Sequence, residues 1–555
     1  MVDDIKHECA VAMVVLRKPP CAIGDYGGTK LALLLEKQHN RGQDGAGVAI
    51  VAANPEAGAA PYQQYKSASA TPLADVLGAL TKRQTIKDER IFLGHLRYAT
   101  FGRNEEAFCH PFAHQSSELE HTLLLAGNFN LTNACELFEK FRRQHCFPTS
   151  RADGYLITEL VAHELEAGKE LDEALANALK DADGAWLLAG ATADGAAFAT
   201  RDSHGIRPGW YYMNDEVVVV ASERAAIQAA FDVAPEAVKE LPRGEALIVS
   251  PTGDVRFSSI VPSDVPTRAC VFERIYFSRA NDADIHRERK ALGAALVPQV
   301  LAAAASGIER IFFSYIPNSA RIAFHGLLEE LFKRCFSARN ACVEKLPRFG
   351  EIAVKDAKFR TFIADAAARR EFYKHVYDVT YGLVEKDDTL VVLDDSIVRG
   401  NTMKNAILPM LERLGPKCIV IASSAPFIRY PDCYGIDMST LGELVAFRAL
   451  VNLLGESAND ILRDALASDA QNPLAPLYAR FTDEQHTAEI ARLLTPPGIN
   501  AEIKVVYQTI DALHSASPNS KGDWYFTGDY PTPGGYKVLR NALRNYLDKK
   551  TERSY

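Results

Sequence analysis

Two adjacent acids follow an apolar run in the second half of the chain. Residues 390–393 are all apolar and lead directly into Asp394 and Asp395, after which small and hydroxyl residues continue the string "DDSIVRGNT". Ligands of open α/β sheets bind where strands end and helix N-termini offer free N–H groups. Paired carboxylates there suit sugar hydroxyls or a hydrated divalent cation. On the pattern alone, such a pair is more often a helix cap than a ligand site.

A cysteine at the head of an apolar strand is the second candidate for chemistry. Cys9 opens the string "CAVAMVVL" near the start of the chain. A cysteine in this setting is commonly a small buried hydrophobe. The alternative is a thiolate nucleophile, which requires a nearby base to accept the thiol proton.

The elements that must position these residues follow two patterns. Between residue 9 and about residue 255, short apolar segments separated by Gly and Asp turns are interrupted by two helical stretches. This predicts a layered α+β or αββα domain. From about residue 270 strands and helices alternate, which predicts a mostly parallel sheet. A polar, helical segment begins near residue 455 and contains "WYFTGDYPTPGG", which suits either an interdomain or intersubunit seal or a packed terminal tail.

Composition narrows the class of function. The 555 residues are 47% hydrophobic and carry a formal net charge of −9, which argues against nucleic acid or an anionic membrane as the main partner. No apolar run approaches the roughly 20 residues that span a bilayer, and the acidic start is unlike a secretory signal. Ten cysteines without a C-x-x-C pair predict no iron–sulfur or zinc site. We therefore expect a cytoplasmic protein that acts on small molecules.

Several further strings carry a family resemblance. "QHNRGQDGAG", "GHLRYATFG", "GNFNLTN" and "RDSHGIRPG" occur in the order found in glutamine amidotransferases of the N-terminal nucleophile class. "LVVLDDSIVRGNT" is similar to the phosphoribosyl diphosphate (PRPP) loop of type I phosphoribosyltransferases. With "CVFERIYFSR" and "YPDCYGIDM", the set resembles the amidophosphoribosyltransferase family over roughly residues 9–450.

The resemblance implies a fold, a domain order and an activity. The expected fold is an N-terminal αββα sandwich followed by a parallel-sheet type I phosphoribosyltransferase domain. The expected segments are a propeptide at 1–8, an amidotransferase domain at 9–260, a phosphoribosyltransferase domain at 265–455 and a C-terminal helical extension at 456–555. The implied reaction transfers ammonia from glutamine to PRPP, giving 5-phosphoribosylamine, glutamate and pyrophosphate in the first committed step of purine synthesis.

Two other functions remain open at this point. One is a catalytically impaired homologue that binds PRPP or nucleotides as a regulatory subunit. The other is a sugar-phosphate aminotransferase, which shares the glutaminase half but would not carry "LVVLDDSIVRGNT".

In this class the base for the nucleophile is its own free amine. An α-amine with a pKa of roughly 7.7 to 8 can accept the thiol proton, whereas an amide nitrogen cannot. Cys9 must then become the first residue, so we expect "MVDDIKHE" to be a propeptide.

The resemblance also assigns the other glutaminase residues. Asn128 and the backbone N–H of Phe129 would stabilise the oxyanion, because fixed donors are needed where negative charge develops. Arg97 would pair with the substrate carboxylate through its bidentate fork. An ordinary ion pair is the alternative role for Arg97. Asp153 would bind the glutamine amino group.

For PRPP, the resemblance implies a contact set that spans the loop and a neighbouring segment. Asp394 and Asp395 would hold ribose hydroxyls and magnesium, and Ser319 would join the magnesium shell. The remaining PRPP contacts would be Ser396, Val398, Arg399, Gly400, Asn401, Thr402, Lys355, Lys358 and Arg360.

Three positions depart from the family pattern. Family members usually show Gly where Phe129 stands and Asp where Asn318 stands, and they have no equivalent of Asn40. A backbone donor survives a change of side chain, so Phe129 is compatible with the proposed role. The family further implies purine nucleotide inhibitors and a homodimer or homotetramer.

Overall fold

The computed structural model describes residues 9–17, 25–53, 60–84, 86, 88–98, 105–144, 150, 152–337, 346–355, 377–550 and 554. The expected propeptide at 1–8 lies outside these residues, as do Lys358 and Arg360.

Cys9 directly precedes β1, the central strand of the first sheet. Its strand order is β11-β9-β10-β1-β4-β2-β3, and every neighbouring pair is antiparallel. The strands are β1 (Ala10–Leu16), β2 (Gly45–Ala52), β3 (Tyr62–Ser67), β4 (Glu89–Arg97), β9 (Trp210–Met213), β10 (Val217–Ala221) and β11 (Lys239–Glu240). The helices of its outer face are Tyr26–Lys37, Pro72–Lys82 and Arg224–Phe231.

A second antiparallel sheet faces the first. Its order is β13-β12-β8-β7-β6-β5. The strands are β5 (Phe112–His114), β6 (Leu123–Leu131), β7 (Gly184–Thr192), β8 (Ala197–Arg201), β12 (Glu245–Val249) and β13 (Val255–Ser259). The helices of its outer face are Ala134–Gln144, Asp153–Glu166 and Leu171–Leu179.

The space between the two sheets is a continuous apolar core. Val11 and Met13 of β1 pack there with Leu93 of β4 and with Leu124 and Ala126 of β6. Successive side chains of a strand point to opposite faces, so the alternate residues face the outer helices. The result is the predicted αββα sandwich, and this part of the fold prediction is confirmed.

A parallel sheet follows, with order β15-β14-β18-β19-β20. Its strands are β14 (Ile311–Tyr315), β15 (Arg348–Phe349), β18 (Thr389–Asp394), β19 (Cys418–Ser423) and β20 (Glu502–Tyr507), and β16 (Ala353–Lys355) pairs separately with β17 (Tyr377–Val379). Helices Ala283–Ala295, Val297–Ala304, Arg321–Ser337 and Leu408–Glu412 accompany it. The predicted parallel sheet is therefore confirmed.

The last hundred residues differ from the expected helical extension. They do contain helices, but β20 lies within them and pairs in parallel with β19. Sheet pairing across some 80 residues leaves no signal in a local pattern, which is why the strand was missed. After the helix Val445–Leu454, the described α-helices of this region are Ala458–Ala467, Ala475–Tyr478, Asp483–Leu494, Ile510–Ala516, Trp524–Thr527 and Pro533–Leu547.

The segment "WYFTGDYPTPGG" packs against both preceding domains. The indole N–H of Trp524 donates to the Asp432 carboxylate at 2.9 Å, next to the parallel sheet. The Gly534 N–H donates to Asp183 of the sandwich at 2.9 Å. These contacts agree with the interdomain seal, which was one of the alternatives that the sequence left open for this segment.

Candidate active sites and their shared cavity

Cys9 and Arg97 lie opposite each other at the end of the first sheet. The register pairs Ala10 with Leu96 and Val11 with His95, so its continuation places Cys9 across from Arg97. Odd-numbered residues of both strands face the second sheet, because Val11 and Leu93 lie in the core between the sheets. Both functional side chains therefore project into the same end of the sandwich.

The thiol of Cys9 is held by its strand neighbour. The N–H of Tyr98 donates to Cys9 Sγ at 3.3 Å, and the guanidinium Nε of Arg41 donates to the Cys9 carbonyl at 3.3 Å. The Arg97 guanidinium lies 5.7 Å from the Phe108 ring centroid. The Cys9 thiol in turn donates to the Tyr98 carbonyl at 3.8 Å, so both backbone groups of Tyr98 fix the position of the sulfur.

Asn128 projects into this space from the facing sheet. Leu124 and Ala126 of β6 lie in the core between the sheets, and strand alternation gives Asn128 the same direction. Its side chain is buried, and its Nδ2 has no hydrogen-bond partner among the described residues. An unsatisfied buried amide is costly unless a ligand completes it, so this amide suits a substrate oxygen.

The backbone of Phe129 offers a second donor. In antiparallel sheets, opposite residues alternate between pairs that exchange hydrogen bonds and pairs that do not. Trp186, which lies opposite Phe129 on β7, uses its own N–H and C=O on Asp202. The Phe129 N–H therefore points away from β7, toward the outer edge of β6. The Phe129 ring faces the helices, so it leaves the Asn128 side of the strand unobstructed.

Asp153 is the first residue of the helix Asp153–Glu166. Its carboxylate accepts the Gly154 N–H at 3.2 Å. Gly154 packs so closely that a Cβ there would come within 2.5 Å of the Phe112 ring and 3.2 Å of His110 Nε2. This close approach brings the start of the helix to the edge of the second sheet that carries Phe129.

The acid pair lies where the sequence placed it, at the carboxyl end of β18. Asp394 is the last residue of the strand and accepts the Asp395 N–H at 2.9 Å. The Ser396 hydroxyl donates to Asp395 at 2.8 Å, and the Ser319 hydroxyl donates to the other Asp395 oxygen. The loop after β14, where the Pro317–Asn318 peptide is cis, thus meets the loop after β18.

The loop 396–402 turns into a helix through Gly400. Its φ of +76° is in the left-handed region that favours glycine, and a Cβ there would come 2.3 Å from Leu494 Cδ2 and displace that methyl group. Helical residues 401–412 follow, with Asn401 exposed and Thr402 half-buried at their start. The N-terminal end of a helix suits a phosphate, because the backbone N–H groups of its first turn point along the helix axis.

Arg399 and Val398 connect this loop to residues outside it. The Arg399 guanidinium bonds to Glu443 at 2.7 Å and to Asp437 at 3.3 Å. The Val398 carbonyl accepts the Val445 N–H at 2.9 Å. Lys355 ends β16, within the two-stranded ribbon.

A cavity of about 690 Å³ covers the acid pair, and both domains line it. From the parallel-sheet domain it is lined by Asn318, Ser319, Asp394, Asp395, Ser396, Val398, Arg399, Gly400 and Thr402. From the sandwich, Lys37, Asn40 and Gln43 reach the same cavity.

Two cavity residues were not assigned from the sequence. Asn40 donates to Glu223 and to the Phe277 carbonyl, both at 3.1 Å, so the extra residue in "QHNRG" joins the domains. Arg289 is buried and donates to the carbonyls of Arg274 and Ser278 at 2.8 and 2.7 Å. Burial lowers the pKa of Arg289 to about 10, and the nearby Asp395 carboxylate opposes that shift. Arg289 belongs to the mixed-charge string "HRERK", which is typical of a solvent-exposed helix face, so nothing in that string indicates that this residue is buried.

The donor set fits magnesium. Asp394 and Asp395 supply carboxylate oxygens, and Ser319 places a hydroxyl oxygen against Asp395. Hard oxygen ligands of this kind suit Mg²⁺, which binds through one or two carboxylates and substrate phosphates.

Comparison with known proteins shows which family this chain belongs to. The sequence profile of the glutamine amidotransferase domain family matches residues 108–229. The amidophosphoribosyltransferase of Bacillus subtilis is 30% identical over 457 residues, covering 80% of this chain and 85% of its own. The chain belongs to the amidophosphoribosyltransferase family.

Two further similarities agree with this assignment. The Methanocaldococcus jannaschii amidophosphoribosyltransferase is 28% identical over 442 residues, covering 76% of this chain and 86% of its own. The solved B. subtilis glutamine PRPP amidotransferase, complexed with ADP and GMP, superposes with a TM-score of 0.70 at 24% identity and covers 94% of this chain and 97% of its own. The family predicted from the motifs is confirmed, and so is its fold.

Among the described residues, we find no helix whose length and apolar character would let it cross a membrane.

Proposed function

We propose that this chain transfers ammonia from glutamine to PRPP, giving 5-phosphoribosylamine, glutamate and pyrophosphate, as the first committed step of purine synthesis. Family membership supports the overall reaction. The observation that carries it in this chain is the cavity over Asp394 and Asp395, which the glutaminase residues Lys37 and Asn40 help to line. The proposal places one half-reaction at Cys9 and the other at this cavity.

The glutaminase half-reaction begins at Cys9. Its sulfur attacks the glutamine amide carbon, and the thiol proton passes to the free α-amine of Cys9 once residues 1–8 are removed. Asn128 Nδ2, directed into the space between the sheets, and the Phe129 N–H, directed to the outer edge of β6, then bind the oxyanion. Arg97 binds the substrate carboxylate and Asp153 the amino group.

Removal of the propeptide is measured by intact mass. We expect purified protein to begin at Cys9, and a Cys9→Ala variant to retain all eight residues if cleavage is self-catalysed. Full glutaminase activity in protein that still begins at Met1 or Val2 would assign the base to another group.

Collapse of the tetrahedral adduct breaks the C–N bond, as the proton held by the α-amine passes to the departing nitrogen, and water then hydrolyses the Cys9 thioester to glutamate. The ammonia so released must reach PRPP without being protonated by water, since ammonium is not a nucleophile. Asn40 supports a short route, because it lines the PRPP cavity while its neighbour Arg41 binds the Cys9 carbonyl. A closed passage through this junction is part of the proposal.

At the PRPP site, Asp394 and Asp395 orient the ribose through its hydroxyls, and residues 398–402 wrap the 5′-phosphate with backbone donors. Asp394, Asp395 and Ser319 would hold magnesium, whose charge would stabilise the departing pyrophosphate. Attack by ammonia opposite the leaving group inverts the anomeric carbon. Lys355, Lys358 and Arg360 are proposed pyrophosphate contacts.

The remaining assignments follow from the same family. The relative solved with ADP and GMP supports purine nucleotides as inhibitors of this chain. We propose a cytoplasmic homodimer or homotetramer with domains at 9–260 and 265–455. Residues 456–555 then supply a sheet strand and an interdomain seal in addition to helices.

A PRPP-consumption assay tests the proposal. Purified enzyme, glutamine, PRPP and magnesium should yield pyrophosphate and glutamate in equal amounts, and ammonium salts at alkaline pH should replace glutamine. Binding of PRPP without turnover from either nitrogen source would instead support an impaired regulatory homologue.

A further inference from the structure

Two histidine side chains hold one backbone residue of β6. His95 Nε2 lies 3.1 Å from the Gly127 carbonyl oxygen, and the Gly127 N–H donates to His110 Nδ1 at 3.1 Å. The two imidazole rings stack with centroids 4.1 Å apart and an angle of 13° between planes. Gly127 is thus bound at both of its backbone groups by a single stacked pair.

The two histidines supply the hydrogen bonds that a neighbouring strand would otherwise make to Gly127. β5 pairs with β6 through Phe112 opposite Leu125, and continuing this register would put the His110 backbone opposite Gly127. β5 begins only at Phe112, so beyond Leu125 the outer edge of β6 has no described strand beside it. Backbone groups buried at such an edge need other partners. Here the partners are the imidazole of His110, just before β5, and that of His95 on β4 of the facing sheet.

Gly127 directly precedes the two groups proposed to bind the oxyanion. Strand alternation puts the Phe129 N–H on the same edge as the Gly127 N–H, two residues along. Between them, Asn128 projects its amide toward the first sheet. A shift or rotation of β6 at Gly127 would therefore displace both donors, and oxyanion donors act only when fixed near their final positions.

We propose that His95 and His110 are positioning residues of the glutaminase half-reaction, which clamp Gly127 and thereby fix Asn128 Nδ2 and the Phe129 N–H for the oxyanion. This inference rests on the proposed function. Neither histidine is assigned a contact with glutamine, so their effect is indirect.

The hydrogen bonds define the form of each ring. His110 Nδ1 accepts, so its proton is on Nε2, and His95 Nε2 donates, so its proton is there as well. Both rings are then neutral. Burial, followed by the Arg97 charge, lowers the pKa of His95 to about 3, which agrees with a neutral ring near pH 7.

Matched substitutions separate the hydrogen bonds from the bulk of the rings. His110→Asn keeps an acceptor near the Nδ1 position, and His95→Gln keeps a donor near the Nε2 position, whereas His110→Leu and His95→Leu keep neither. We expect each Leu variant to lower kcat for glutamine hydrolysis by about 10- to 100-fold, with KM for glutamine changed less than about 3-fold. The Asn and Gln variants should recover most of the loss.

Ammonia-dependent transfer to PRPP measures the folded fraction of the parallel-sheet domain, and binding of glutamate measures that of the glutaminase domain. A rise in KM with kcat intact would overturn the clamp, as would equal losses in the amide and Leu variants. The latter result for His95 would mark it as a proton-transfer group.

A tetrahedral analogue gives an independent readout. With the aldehyde analogue of glutamine, the Cys9 sulfur adds to the aldehyde carbon and the thiol proton passes to the oxygen, so no group leaves. We expect the Leu variants to lose affinity for this aldehyde by the same factor as kcat, and to bind glutamate as the wild type does. Unchanged aldehyde affinity would overturn the clamp. If the wild type fails in the PRPP assay, the proposed function itself fails; if it is active and all four variants match it, only the clamp fails.

Discussion

The buried guanidinium of Arg41 makes two hydrogen bonds to the carboxylate of Glu273, at 2.9 and 2.6 Å. Arg41 belongs to the sandwich and also binds the Cys9 carbonyl, whereas Glu273 begins the helical turn Glu273–Phe277 that leads to the PRPP cavity. The Ser278 hydroxyl donates to the same carboxylate at 2.7 Å. One ion pair therefore fixes the nucleophile's strand relative to a wall of the second site.

Removal of this pair should destabilise the whole chain. Arg41→Ala leaves the Glu273 carboxylate buried without its main partner, and breaking such a pair costs about 3 to 5 kcal/mol. Chemical denaturation would measure the loss. Arg334→Ala is the control, because the Arg334–Glu330 pair is exposed and should change the free energy of unfolding by less than about 0.5 kcal/mol. Equal effects of the two substitutions would contradict the role given to the buried pair.

The acid pair should act on PRPP and not on glutamine. Asp394→Asn and Asp395→Asn should each reduce transfer from PRPP with glutamine and with ammonia, because both carboxylates orient the ribose. Basal glutamine hydrolysis should persist. Calorimetric titration with PRPP in magnesium buffer measures the affinity, and Asp387→Asn, at an exposed position before the same strand, is the control. Unchanged affinity and rate in both variants would leave these acids as helix caps.

His95 should make the protein sensitive to acid. Its folded pKa of about 3, lowered by burial and by Arg97, lies below the value of about 6.5 in an unfolded chain. Below pH 6.5 the unfolded state thus binds a proton that the folded state does not, so the free energy of unfolding falls as pH decreases and is fully retained above 6.5.

His95→Gln removes this contribution. Between about pH 5.5 and about pH 4, wild type should lose about 1.4 kcal/mol per pH unit more than the variant. Denaturant unfolding at several pH values gives both slopes. Parallel slopes would show that His95 is protonated in the folded protein.

The indole of Trp524 should contribute through its N–H. Asp432 is buried and accepts from Trp524 and from three backbone N–H groups, those of Tyr434, Gly435 and Ile436. Trp524→Phe removes one donor from a buried carboxylate and should cost about 1 to 3 kcal/mol beyond the lost ring volume. Trp186→Phe is the matched control, since the Trp186 Nε1 has no partner among the described residues. If the two variants unfold at the same denaturant concentration, the bond to Asp432 contributes nothing.

The sequence predicted the features that depend on consecutive residues. The apolar run before Asp394 and the strand that follows Cys9 are both present, because burial and strand period are properties of consecutive residues. β20, the Asn40 contacts and the position of Arg289 depend on segments far apart in the chain. The stacking of His95 on His110 depends on where β5 begins relative to β6, a register that no single segment specifies.

The division of labour between the two sites is tested most directly by Cys9→Ala. Pyrophosphate release from PRPP should be measured in the variant and the wild type, first with glutamine and then with an ammonium salt. Only the first half-reaction uses the thiol, so the variant should lose glutamine-dependent release and keep the ammonia-dependent rate of the wild type. Equal loss of both activities, or glutamine-dependent release that survives the substitution, would contradict the account.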